Sequence, residues 1–184
     1  MTFNVLKHNV ELWNSNPSGP VFISPYALSS RTGRAHLEEP EQFKSNSGLA
    51  RLSSQADHGE GVDVHTITFD EFFPNKPQCK LVKIDVEGHE DAVVSGMAET
   101  LKGHQVENMI FEEFRPLPSA LCSKLREFGY QSYMIDRTFS GLRLKPVEGR
   151  PQTLRGEPTN VVASLNPDEL VAALKPRGWA CLRH

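Results

Sequence analysis

The run Leu81-Val82-Lys83-Ile84-Asp85-Val86, continued by Glu87-Gly88-His89-Glu90, constrains this 184-residue chain more than any other stretch. Leu81, Val82, Ile84 and Val86 make a nearly continuous apolar run, the pattern of a strand buried on both faces. A helical stripe follows at once, with Ala92 or Val93, Met97 and Leu101 on one face. Glu90 and Asp91 fall in its first turn, where the helix dipole favours carboxylates, and Lys102-Gly103 closes it. Val106 to Glu112 reads as the next strand. Strand, helix and strand with short connections make a βαβ unit with parallel strands.

The same rhythm extends in both directions. Phe3, Leu6, Val10 and Trp13 lie at helical spacing, so a helix is expected from about Thr2 to Asn14, stopped by Asn16-Pro17-Ser18-Gly19. Pro20 to Ser24 reads as a short buried strand. Residues 38 to 61 are polar, with only Phe43, Leu49 and Leu52 as large apolar groups, which implies a loop beside a site or an insertion hairpin. Val62 to Phe69 alternates in part and is rich in β-branched residues, so it is expected as a strand. Beyond the βαβ unit, Ser119 is a good N-cap for a helix carrying Leu121, Leu125 and Phe128 and stopped by Gly129. Gln131 to Ile135 and Thr159 to Ser164 read as strands, and Asp136 to Pro158 as irregular. Asn166-Pro167-Asp168-Glu169 opens a last helix with cap, proline and acids in the expected order. Residues 1–184 are expected to form a single α/β domain.

Composition narrows the partners. The formal net charge is -3, from 20 basic and 23 acidic residues, and no long basic run occurs, so nucleic acid is not the expected partner. No apolar run reaches the roughly 20 residues that span a bilayer, so neither is a membrane. Lys7, His8, Asn9 and Glu11 interrupt any signal-peptide core. Cys79, Cys122 and Cys181 are odd in number and widely spaced, which argues against a disulfide framework and for a reducing, cytoplasmic setting.

Ligands of open α/β sheets bind beyond the carboxyl ends of the strands. Asp85 and Glu87 lie at that end of the central strand, His89 and Glu90 on the turn into the helix, and Glu112 and Glu113 at the end of the next strand. Six ionisable groups on one sheet edge make a candidate acid/base or metal site. Acids such as Glu90 and Asp91 are also ordinary helix N-terminal residues, and a turn histidine is commonly solvated. Asp85 interrupts an apolar run, and burying a charge without a partner is costly.

Lys83-Ile84-Asp85-Val86-Glu87-Gly88-His89-Glu90, with Val94, Gly96 and Met97 behind it, resembles the K-I-D-V-E-G-x-E signature of FkbM-family methyltransferases. Ala27-Leu28-Ser29 with Gly33 resembles the family's A-L-S-x-x-x-G element, and Asn46-Ser47-Gly48 its N-x-G element. Thr66 to Asp70 resembles the T-x-D segment, Ile110-Phe111-Glu112 the strand ending in glutamate, and Leu125 to Tyr130 the L-x-x-x-G-Y segment. The likeness covers roughly residues 3 to 165. It implies a class I methyltransferase fold with a Rossmann-like sheet, S-adenosylmethionine as cofactor, and a small-molecule acceptor bearing a hydroxyl, such as a sugar or polyketide. It further implies that Ala27 and Leu28 flank the adenine, that Asp85 lies near methyl donor and acceptor, and that Glu87 and His89 orient or deprotonate the hydroxyl. Glu112 is the fourth candidate catalytic group, and no metal ligands are expected.

The D-V-G-x-N-x-G loop that opens the family's domain does not occur in these residues. The resemblance therefore implies a domain lacking its first two strands and the helix between them, as a fragment would, with unpaired strand edges as the consequence. Two alternatives stand beside the methyltransferase. One is a non-catalytic remnant or interaction module. The other is a metal-dependent hydrolase using Asp85, Glu87, His89 and Glu90, although Val93 stands where a zincin motif would carry its second histidine.

Overall fold

A computed structural model describes residues 2–14, 19–38, 51–53, 61–138, 141–147 and 158–174. The chain opens with α1 (Thr2–Trp13), then β1 (Ala27–Leu28), β2 (Gly33–Glu38), β3 (Arg51–Ser53), β4 (Gly61–Ile67) and the short α2 (Phe69–Phe72). The second half runs β5 (Cys79–Ile84), α3 (Glu90–Ser95), α4 (Ala98–Lys102), β6 (Val106–Glu113), α5 (Ala120–Glu127), β7 (Gln131–Thr138), β8 (Gly141–Pro146), β9 (Thr159–Ser164) and α6 (Pro167–Leu174).

Two sheets result. The first has the order β1-β4-β2-β3, with β1 parallel to β4 and β2 antiparallel to both β4 and β3. The second has the order β5-β6-β9-β7-β8. Its β5 and β6 are parallel, with Leu81 opposite Asn108 and Ile84 opposite Phe111, as the βαβ pattern requires. β9 inserts antiparallel between β6 and β7. The core gathers Val93, Val94, Met97 and Leu101 from α3 and α4, Leu121 and Leu125 from α5, and Met109, Phe111 and Val161 from the sheet. Each such fully buried aliphatic side chain contributes about 1.5–3 kcal/mol relative to exposure.

Local chemistry accounts for the helix ends. The Ser119 hydroxyl accepts from the Cys122 N–H at 3.3 Å and starts α5. Thr68 caps α2 by accepting from the Glu71 N–H at 3.1 Å. Asp70 holds a different helix. Its carboxylate accepts from the N–H groups of Glu99 and Thr100, both at 2.9 Å, and so caps α4 from 29 residues away.

Several expectations need correction. Residues 20–24 form no strand; Phe22 is 86% exposed, and the ladder begins instead at Ala27. An apolar run becomes a buried strand only where neighbours cover it, and this segment is held chiefly by the Asn14 side chain, which bonds the Val21 N–H and C=O. The strand at 81–86 is not buried on both faces: it ends at Ile84, Leu81 is 50% exposed, and β6 is its one neighbour among the described residues. The stripe of α1 buries only Val10. The single helix expected over 90–102 is two, broken at Gly96-Met97. Gly96 lies so close to the Ser29 carbonyl that a Cβ there would collide with it. Residues 136–158 are not irregular throughout, because β7 continues to Thr138 and Leu142 and Leu144 lie on β8. Within 38–61, β3 pairs with β2 as an insertion hairpin would. The Asn46-Ser47-Gly48 element and the stop at Asn16-Pro17-Ser18 lie outside the described residues.

Candidate functional site

The turn from β5 into α3 is unusual backbone. Glu87 has φ of 50° and Gly88 of 96°. The left-handed region costs a non-glycine residue about 1 kcal/mol, so something must hold Glu87 there. Glu90 does: its side chain is drawn back beneath the turn, 5% exposed, and its carboxylate accepts from the N–H groups of Val86 at 3.4 Å and Gly88 at 3.3 Å. Glu90 thus belts the turn instead of decorating the helix end. A strained turn fixed by a buried carboxylate is a common property of sites that must aim side chains.

With Glu87 and Glu90 in the turn itself, the other four expected ionisable groups divide into three sets. Asp85 is exposed and pairs with Lys83, so the cost of a buried lone charge does not arise. Glu112 lies beside it on β6. Burial pushes the Glu112 carboxyl up, and the negative charges of Asp85, Glu87 and Glu90 push it further, with Lys83 opposing. The second set is an ion network. Arg115 grips Glu113 through Nε at 2.8 Å and Nη2 at 3.0 Å, and reaches Asp91 at 2.7 Å. Glu113 is 2% exposed. Burial raises its carboxyl, but hydrogen bonds from Arg115 and Ser119 outweigh this, and its pKa is lowered. The third set is His89, whose Nε2 lies 2.9 Å from the Ser29 hydroxyl. Burial lowers the imidazole pKa and the Glu90 charge only partly offsets it, so the ring is neutral at pH 7.

A cavity of about 380 Å³ opens between the two strand ends, lined by Glu87, Gly88, Glu90, Asp91, Glu113, Phe114 and Arg115. Ala27, Leu28, Asp85, His89 and Glu112 do not line it. Ala27 and Leu28 are half-buried on β1, and Ser29, which follows them, joins His89. Sequence reasoning missed two contributors. Arg115 stands two residues past Glu113, a visible acid-x-base spacing whose pairing only the strand end creates. Ser29 belonged to a recognised element but is 60 residues from His89. Among the described residues, no group of three or more His, Cys, Asp or Glu side chains is placed to hold a metal ion. Nor is any described helix long and apolar enough to cross a membrane.

The chain has a mixed α/β fold with a carboxylate-rich crevice at the ends of neighbouring parallel strands, the place where open α/β sheets generally take their ligands. Residues 5–132 match the methyltransferase FkbM domain, and the chain belongs to that methyltransferase family. Comparison with characterised proteins and with solved structures gave no significant match.

Proposed function

We propose that the chain is an S-adenosylmethionine-dependent methyltransferase that methylates a hydroxyl of a sugar, polyketide or related small molecule. The observation that carries this reading is the gathering of the Asp85, Glu87, Glu90 and Glu112 carboxylates at the ends of β5 and β6, where the first three add to burial in raising the Glu112 carboxyl. Such a field suits a sulfonium cation, which is the charge this cofactor carries. Asp85 would hold that end, and Ala27 and Leu28 would flank the adenine. When bound, S-adenosylmethionine supplies an electrophilic methyl group. The chain's own groups orient the acceptor: carboxylates lining the cavity accept from its hydroxyls, and a neutral imidazole nearby takes a proton.

The sheet order β5-β6-β9-β7, with one antiparallel strand inserted, supports a class I Rossmann-like arrangement. Among the described residues β5 is unpaired on the side away from β6, and this with the exposed Leu81 supports a place there for further parallel strands.

Calorimetric titration of the purified chain with S-adenosylmethionine tests the reading. Saturable binding that Asp85→Ala abolishes is expected. No binding overturns the reading for this chain and favours an interaction module.

A further inference from the structure

We infer that Phe114 and Arg115, the two residues that follow β6, build the acceptor subsite, and that it takes a neutral ring polyol, a sugar with adjacent hydroxyls. This rests on the methyltransferase reading and names its acceptor class.

Arg115 is fixed before any ligand arrives. Its backbone N–H and its Nε both donate to Glu113 Oε1, at 3.0 and 2.8 Å, and Nη2 donates to Glu113 Oε2 at 3.0 Å. Nη2 also meets Asp91 Oδ2 at 2.7 Å. Glu113 is 2% exposed, so the clamp is anchored in the core. A guanidinium has five N–H donors. These contacts use Nε–H and the hydrogens of Nη2, and Nη1 makes no bond among the described residues. Its two N–H groups stay available on a half-exposed side chain that lines the cavity. Donors held rigid in advance lose little entropy on binding.

The acids of the cavity sort by their partners. Glu113 and Asp91 are taken by Arg115, and Glu90 by the N–H groups of Val86 and Gly88. Glu87 lines the same cavity and has no hydrogen bond or ion pair among the described residues, so its carboxylate is the acceptor left over. A hydroxyl both donates and accepts, so adjacent hydroxyls can satisfy Nη1 and Glu87 together. A lone hydroxyl on an apolar frame can meet one N–H of Nη1 and one lone pair of Glu87. The second N–H and the other carboxylate oxygen would then lose water without a replacement, which is costly. Four carboxylates against one guanidinium also repel an anion, which disfavours a phosphorylated or uronic sugar.

Phe114 supplies what the charged groups lack. It is the one apolar side chain of the lining and is 47% exposed. The faces of its ring are electron-rich and suit the C–H groups on one side of a sugar ring. The cavity volume of about 380 Å³ falls within the roughly 300–1,000 Å³ of small-ligand sites.

The test is nuclear magnetic resonance of the full chain, following the Arg115 Nε–H and the Phe114 ring. These signals are assigned by their loss in Arg115→Lys and Phe114→Leu. Methyl glycosides of glucose, galactose and mannose are titrated in turn, with and without S-adenosylhomocysteine. At least one should move both signals saturably, and cyclohexanol and glucuronate at the same concentration should move neither. Phe114→Leu should weaken that glycoside by about fivefold, and Phe114→Tyr should restore it. Arg115→Lys keeps the charge but loses the fork, and should weaken it by about tenfold. If Arg115→Lys fails to fold, the Phe114 variants decide. No response to any glycoside, equal responses to cyclohexanol or glucuronate, or unchanged affinity in a folded Phe114→Leu protein overturns the proposal. Titration with S-adenosylmethionine is read separately. Glycoside binding without cofactor binding defeats the methyltransferase reading and leaves a sugar site, whereas cofactor binding without a glycoside response defeats the subsite alone.

Discussion

Asp70 and Thr100, thirty residues apart, are joined twice: Asp70 Oδ1 accepts from the Thr100 N–H at 2.9 Å and from its hydroxyl at 2.6 Å. Thr100 is 1% exposed, and burial of Asp70 raises its carboxyl less than these bonds and that of Glu99 lower it. A single carboxylate thus ties the end of the first sheet to α4. Asp70→Ala removes a cap and leaves buried donors unmet, so a loss of about 1–2 kcal/mol is expected. Urea denaturation followed by circular dichroism measures it; a loss within error of zero would show the tie to be incidental.

Gly96 supports the same junction sterically. Its φ of −75° is open to any residue, so the demand for glycine comes chiefly from the Ser29 carbonyl, which a Cβ would strike. Gly96→Ala should destabilise by about 1–3 kcal/mol, as overpacking does, and should loosen α3 from β1. Helix propensity alone predicts the opposite, a gain of up to about 1 kcal/mol at a helix end. The sign of the change in urea midpoint decides between them.

How much of this was legible depended on the range of the interaction. The parallel pairing of Cys79–Ile84 with Val106–Glu113, the Ser119 cap and the strand at Thr159–Ser164 rest on periodicity and capping, which are local, and they were readable. The break at Gly96, the tie from Asp70 and the contact of Ser29 with His89 are set by groups 29 to 67 residues apart, and no local pattern encodes them. The strand β8 was readable in part, since Leu142 and Leu144 alternate with Arg143 and Lys145, but its glycine- and proline-rich surroundings masked the alternation. At the site, the acids were legible as a cluster. Their division into a belt at Glu90, a pair at Asp85 and a network at Glu113 was not, because it depends on which base each one meets.

The Glu113–Arg115 pair should set the acid stability of the fold. The Glu113 pKa is lowered on folding, so its contribution is present above its unfolded value of about 4.3 and is lost as pH falls through the lower folded value. Arg115→Ala removes the guanidinium that lowers it most and leaves burial opposed only by the Ser119 hydroxyl and the backbone N–H at position 115. The variant should lose about 2 kcal/mol at pH 7, a moderate figure because Arg115 is half-exposed. Its stability should also fall less than that of the wild type between pH 5 and pH 3. Parallel acid dependence in the two proteins would remove Glu113 from the account.

Glu112 reports the field that a cationic ligand would meet. Its carboxyl is raised first by burial and then by Asp85 and Glu87, while Lys83 opposes. Asp85→Asn removes one negative charge and frees Lys83 from its partner, and both changes act in the same direction. The Glu112 pKa should therefore fall towards its ordinary value in the variant, read by ¹³C resonances of the side-chain carboxyls against pH. Because a raised folded pKa lowers stability as pH rises through it, the same variant should lose less stability than the wild type on going from acid to neutral pH. A cation that binds among these carboxylates must lower the Glu112 pKa as Asp85→Asn does, since by linkage a bound positive charge favours the ionised form. S-adenosylmethionine added to the wild type should reproduce that fall, and the product S-adenosylhomocysteine, which lacks the sulfonium charge, should produce less of it. Equal shifts with the two ligands would mean that the field at β5 and β6 does not sense the sulfonium, and the acids would then serve the acceptor alone.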